Sequence, residues 1–147
     1  LRGELAAGWL TERPDDAALS PVSGATISGN LAWSPVRGTT VELSASTEVE
    51  GTTTPGETGS LLYSGSMAVS HEIRRNLTGR ALAGLDFRDY GGGGGNDVVL
   101  RGEASLTWWM NRNLGVTGRL RHETQQSTLP GRSYDASSVF LGMTLQR

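Results

Sequence analysis

The sequence contains no cysteine, and all 13 of its basic residues are arginine. The lack of cysteine excludes a disulfide framework and thiolate metal sites, but it leaves the compartment open, since envelope and cytosolic proteins alike can do without it. The arginines are spread among candidate strands and turns and the formal net charge is −2, so no surface is marked for nucleic acid. No segment approaches the roughly 20 apolar residues that a membrane-spanning helix requires, so a membrane role would have to be carried by strands. Hydrophobic residues make up only 36%, low for a globule that must bury a core. At 147 residues the chain is one domain or a piece of one, 1–147, with no room for a second. It opens at Leu1 inside an alternating segment, without an initiator methionine or a signal sequence, and reads as cut from a longer precursor.

What the chain has instead is a period of two, repeated about eight times. Ala25, Ile27, Gly29, Leu31 and Trp33 alternate with Thr26, Ser28, Asn30 and Ala32, and the pattern returns from Val41 to Glu50 and from Leu114 to Glu123. Such alternation gives a strand one apolar and one polar face. Strands are expected over 1–11, 25–34, 39–50, 61–73, 77–90, 98–110, 114–125 and 137–146. Several of the 21 glycines lie inside strands on the apolar face, at Gly29, Gly65, Gly102 and Gly118, where a soluble core would want bulk.

The connections alternate in length. Those at 35–38, 74–76 and 111–113 are tight and fall on one side, whereas those near 12–24, 51–60, 91–97 and 127–134 are longer and rich in Gly, Pro, Ser, Thr and Asp. Arg37-Gly38-Thr39, Arg75-Asn76-Leu77 and Arg112-Asn113-Leu114 recur at a hairpin interval of 38 and then 37 residues. A propeller repeat has a similar length, but its blades hold four strands where each unit here holds two. Tight turns alternating with long loops are the pattern of transmembrane barrels, with turns in the periplasm and loops outside.

Periodicity shows two faces without saying which points inward. The polar face carries mid-strand charges, and the residues expected to line a lumen are Glu42, Glu48, Glu72, Arg80, Asp86, Arg88, Arg101, Glu103, Arg119, Arg121 and Glu123. The apolar face is mostly Leu, Val, Ala and Gly, with aromatics toward strand ends: Trp9, Trp33, Tyr63, Phe87 and Trp108. This resembles two aromatic girdles around a plain apolar band. The competing arrangement is a soluble barrel or sandwich with an apolar interior, which would place its aromatics centrally. A hairpin centred on Arg112 sets Glu103 opposite Arg121 and Arg101 opposite Glu123, and a plausible register beyond the glycine loop sets Asp86 beside Arg101.

The run Ala32-Trp33-Ser34-Pro35-Val36-Arg37-Gly38-Thr39-Thr40-Val41-Glu42-Leu43-Ser44-Ala45-Ser46, the turn Asn111-Arg112-Asn113-Leu114 and the ending Val139-Phe140-Leu141-Gly142-Met143-Thr144-Leu145-Gln146 resemble the C-terminal part of bacterial outer-membrane proteins of the putative β-barrel porin type 2 family. The resemblance covers nearly the whole chain through strand and turn patterns of modest specificity. It implies an all-β, antiparallel up-and-down transmembrane β-barrel of which this chain supplies the last eight strands or so. It further implies a bacterial outer-membrane location, the lipid bilayer and the barrel assembly machinery as partners, and a porin-like channel or a component of exopolysaccharide export that handles polysaccharide or small solutes. The last residue, Arg147, departs from the aromatic or apolar terminus that assembly signals tend to carry.

Other features read as structural. Gly91 to Gly95 with Asn96 and Asp97 has no Gly-Lys-Ser/Thr and no following helix, which makes it an outer loop rather than a phosphate cradle. Asp89 and Asp97 flank it and are read as solvated rather than calcium-binding. His71 and His122 are too few and too far apart for a metal cluster or a triad, and His122, on the apolar face near a loop end, falls at headgroup level. Asn76-Leu77-Thr78 sits in a tight turn and is discounted as a glycosylation site. No cofactor or enzymatic activity is expected. The remaining alternatives are a closed eight-stranded structural barrel and a soluble ligand-binding barrel.

Overall fold

The computed structural model describes residues 1–12, 22–50, 59–90 and 95–146. These form eight strands, β1 (Arg2–Glu12), β2 (Val22–Trp33), β3 (Thr39–Glu50), β4 (Ser60–Arg74), β5 (Leu77–Asp89), β6 (Asn96–Trp109), β7 (Leu114–Ser127) and β8 (Tyr134–Leu145). They lie in one antiparallel up-and-down sheet in sequence order. The sheet is not closed, since β1 and β8 do not pair with each other. Most of the first two long connections, the glycines at 91–94 and the terminal Arg147 fall outside the described residues.

The strands run further on the loop side than the hydropathy pattern indicates: β2 starts at Val22 rather than Ala25 and β8 at Tyr134 rather than Ser137, while β7 continues to Ser127. The reason is visible in the pairs Thr11↔Ser23, Thr124↔Asp135 and Val98↔Gln126. There the apolar face itself turns polar, so alternation fades while the hydrogen-bonded ladder continues.

The tight turns follow from local chemistry. Gly38, at φ 80°, takes a left-handed conformation that side chains disfavour, and its carbonyl accepts from Glu72 N at 2.7 Å. The turn between β6 and β7 is closed by Asn111, whose Oδ1 accepts from Asn113 N at 2.8 Å and Leu114 N at 2.9 Å. This fixes the register Glu103↔Arg121 and Arg101↔Glu123. A register shift between Glu72 and Arg74 lets β4 reach its own turn.

One row of paired residues crosses the sheet through Arg2, Ala32, Glu42, Ala68, Leu82, Glu103, Arg121 and Ser138. Arg2 is the turn-side end of β1, yet Ser138 lies seven residues above Leu145, the turn-side end of β8. Over the seven steps the strands therefore slip by one residue per step on average. With a rise of about 3.4 Å and a spacing of about 4.8 Å, that slip corresponds to a tilt of about 35°, in the range of barrel walls.

On β6 burial runs opposite to hydropathy, whereas on β3 Glu42 and Glu48 are exposed and Val41 and Val49 half-buried. Along β6 the apolar-face residues Leu100, Gly102, Ala104, Leu106 and Trp108 are all exposed, while Arg101, Glu103, Ser105, Thr107 and Trp109 are partly enclosed. Among the described residues only Leu61 and Ala68 are buried apolar side chains, and Ala68 lies in the charged row. Leu120, Val139 and Leu141 are 57%, 81% and 76% exposed. A Cβ added at Gly65, Gly102 or Gly118 would meet nothing within 4 Å. At the loop end of β2 the chain does lie against this face, with Ile27 N donating to Thr47 Oγ1 at 3.0 Å and Gly24 close against Leu61 and Tyr63, which is why Leu61 is buried; away from that corner Leu100, Leu106, Leu120, Val139 and Leu141 stay exposed.

Candidate lumen wall and membrane belt

The ladders place Glu42, Glu48, Glu72, Arg80, Asp86, Arg88, Arg101, Glu103, Arg119, Arg121 and Glu123 on one face of the sheet. Five ion pairs connect them and their neighbours: Arg80–Glu42 at 3.1 Å, Arg88–Glu50 at 2.8 Å, Arg101–Asp86 at 2.5 Å, Arg119–Glu103 at 3.4 Å and Arg121–Glu123 at 2.6 Å. Arg80 and Arg88, both on β5, reach across β4 to carboxylates on β3. Small side chains on β4 leave room for this, with Ala68 4% exposed and Ser70 Oγ 3.1 Å from Arg80 Nη1.

The register expected around Arg112 is present, but the ion pairs are not the directly opposite ones. Glu103 faces Arg121 yet pairs with Arg119, and Glu123 faces Arg101 yet pairs with Arg121 on its own strand. Asp86 does pair with Arg101, although it stands opposite Val99 and Arg101 opposite Gly84. The tilt explains the difference. When strands slip by one residue per step, groups at equal height on neighbouring strands are diagonal, and long side chains span that diagonal.

Between β1 and β4 the charged face is floored with small hydroxyls. Ser28, Ser46 and Ser64 form one row and Asn30, Ser44 and Ser66 the next, with Ser44 Oγ 2.8 Å from Ser66 Oγ and Asn30 Nδ2 donating to Glu4 at 3.0 Å. A polar trough of about 330 Å³ lies over Asn30, Glu42, Ser44, Ser66 and Arg80. Four aromatics that hydropathy did not assign to a face also stand on this side, by parity and by contact. Tyr90 Oη donates to Asp97 at 2.7 Å, Tyr134 Oη donates to Glu123 at 2.5 Å, Phe140 lies 5.8 Å from the Arg119 guanidinium, and Trp109 pairs with Gly115. The strict period through β5, β6 and β8 was the signal that could have found them.

The opposite face carries Trp9, Trp33, Tyr63, Phe87 and Trp108. Tyr63 and Phe87 are directly paired, with ring centroids 6.4 Å apart. Corrected for the slip, Trp33 and Trp108 fall at one height, and Trp9, Tyr63 and Phe87 fall about seven to nine residues above it. Along strands tilted by about 35°, this separation is about 20–25 Å, close to the apolar height of a transmembrane barrel. Both histidines lie on this face at the two rims. His71 Nδ1 is 2.8 Å from Thr39 Oγ1 near the turns, and His122 Nδ1 is 2.9 Å from Ser137 Oγ near the loops. A shallow apolar groove of about 750 Å³ runs over Gly79, Ala81, Ala104 and Gly118 between the rims.

Among the described residues no group of three or more His, Cys, Asp or Glu side chains could hold a metal ion. Asp89 and Asp97 are on opposite faces, Asp97 facing Arg88 in the charged rows and Asp89 facing Asn96 in the apolar ones, and Asp97 is buried rather than solvated, since Tyr90 and Gln125 close over it. The model of the family described as "Putative beta-barrel porin 2" matches residues 1–147. No curated protein and no solved structure gives a match.

Proposed function

The chain belongs to the putative β-barrel porin 2 family, and on that premise we propose that it forms part of the wall of a bacterial outer-membrane channel, with the charged face toward a water-filled lumen and the apolar face in lipid. The inversion of burial carries this reading. On β6 the charged residues are the enclosed ones and the leucines the exposed ones, whereas a soluble barrel would bury its leucines. The two aromatic levels would then sit at the two interfaces, with the tight turns in the periplasm and the loops outside.

An open channel is favoured over a closed eight-stranded plug by the packing across the charged face. Among the described residues the backbones of non-neighbouring strands stay apart, save for a slight approach of β2 to β4, and Arg80 and Arg88 bridge only from β5 to β3 along the charged face. Eight strands closed on themselves would fill the interior with these side chains. The edges of β1 and β8 instead need strands outside this sheet, since lipid cannot satisfy a free edge. The hydroxyl floor and the inward aromatics suit a polar solute, polysaccharide in export included, because sugar hydroxyls can bond to the floor while ring faces lie against Phe140, Trp109 or the tyrosines.

Planar-bilayer recording of the full-length protein tests the channel. Converting Glu42, Glu48 and Glu72 together to glutamine lowers cation preference, because carboxylates in a confined lumen favour cations. Loss of Glu42 also releases Arg80 from its 3.1 Å pair. A well-folded full-length barrel that conducts no ions refutes the channel.

A further inference from the structure

The loop between β7 and β8 does not stand away from the sheet. Its first residue, Thr128, extends the β6–β7 ladder, with N donating to Asn96 O at 3.0 Å and Oγ1 accepting from Asn96 N at 2.8 Å. Beside it Gly95 holds φ 97°, and a Cβ there would come within 2.5 Å of Thr128 Oγ1. Further along, Arg132 reaches back to the end of β5, where Nη1 donates to Tyr90 Oη at 2.8 Å and the guanidinium lies 5.3 Å from the ring centre. Tyr90 Oη in turn donates to Asp97 Oδ2 at 2.7 Å. Asp97 is only 2% exposed, with Gln125 Nε2 3.5 Å from the same oxygen and Oδ1 left without a partner. Arg88, paired with Glu50, lies 6.0 Å from the Tyr90 ring.

Asp97, Gln125 and Arg88 all stand on the charged face. To meet Tyr90 from the start of β8, the loop must cross the ends of β6 and β7 on that face. A buried carboxylate at the root of the chain of bonds fixes the geometry, because Asp97 loses its water on burial and the Tyr90 hydroxyl is its short replacement, with Gln125 at 3.5 Å. We propose that Thr128–Ser133 is an arm folded inward over the channel mouth, latched through Arg132, Tyr90 and Asp97, and that this arm sets the largest solute the mouth admits. The mouth role rests on the channel reading, whereas the latch does not.

The two parts are measured separately on the full-length protein carrying Tyr90→Phe, which keeps the ring and removes the hydroxyl. Heat-modifiable gel mobility confirms that the barrel is folded. Limited trypsin digestion with mass spectrometry then reads cleavage after Arg132, which rises about ten- to hundredfold when a hydrogen bond to a charged group is lost. In planar bilayers the same variant shows higher conductance and admits larger polyethylene glycols than the parent. Arg132→Gln, which changes no strand residue, gives the same gain. Unchanged cleavage at Arg132 overturns the latch. Faster cleavage with unchanged polymer cut-off in both variants overturns the mouth role, and so does faster cleavage when parent and variants are all silent, an outcome that also refutes the channel.

Discussion

Replacing Leu120 by arginine tests the assignment of the two faces at its most sensitive point. Leu120 is on the apolar face of β7, 57% exposed, paired with Ala104 and Val139. After correction for the slip it lies about midway between the aromatic levels. A cation on the lipid side at midplane depth destabilises a barrel by roughly 2–4 kcal/mol, falling to about 0–1 kcal/mol near an interface. Thr124 is on the same face of the same strand, four residues toward the loop end and at or above the upper aromatic level. Leu120→Arg is therefore expected to lower stability by about 2–4 kcal/mol and Thr124→Arg by no more than about 1 kcal/mol. Ser44→Arg, which points to the charged face, is expected to be tolerated. Urea unfolding in lipid, followed by heat-modifiable gel mobility, measures all three. Equal tolerance of Leu120→Arg and Thr124→Arg would refute the depth argument, and a barrel broken by Ser44→Arg but not by Leu120→Arg would invert the faces.

Two further outcomes are expected. Gly118→Leu is tolerated in a lipid-facing wall, because a Cβ added there meets nothing within 4 Å and the rest of the side chain can extend into lipid; in a packed soluble core it would cost about 1–3 kcal/mol by overpacking, so a marked loss of stability in chemical unfolding contradicts the lipid assignment. In double-mutant cycles Glu103 couples more strongly to Arg119, 3.4 Å away, than to the directly opposite Arg121, with a coupling on the order of 0.5–1 kcal/mol. A larger coupling to Arg121 would rule out the diagonal pairing.

The sequence by itself determined the number of strands, their order along the chain and which residues share a face. Alternation with period two is a local property, and the turns are closed locally, by the Asn111 side-chain oxygen and by the left-handed backbone of Gly38. Hairpin register follows from the same turns, so the residues around Arg112 are enough to set Glu103 opposite Arg121. The ion pairs could not be read this way, because partner choice depends on the slip accumulated across strands, a property of the whole sheet. Tertiary structure alone decided that Glu103 pairs with Arg119 and that Arg80 reaches over Ala68 to Glu42. It likewise decided that on β6 Arg101 and Glu103 are more enclosed than Leu100 and Leu106, since hydropathy divides a strand into two faces without saying which way the sheet curves. The contact of Arg132 with Tyr90 spans 42 residues of sequence, and no periodicity announces it; it exists because the β7–β8 loop turns back across two strand ends onto a buried carboxylate.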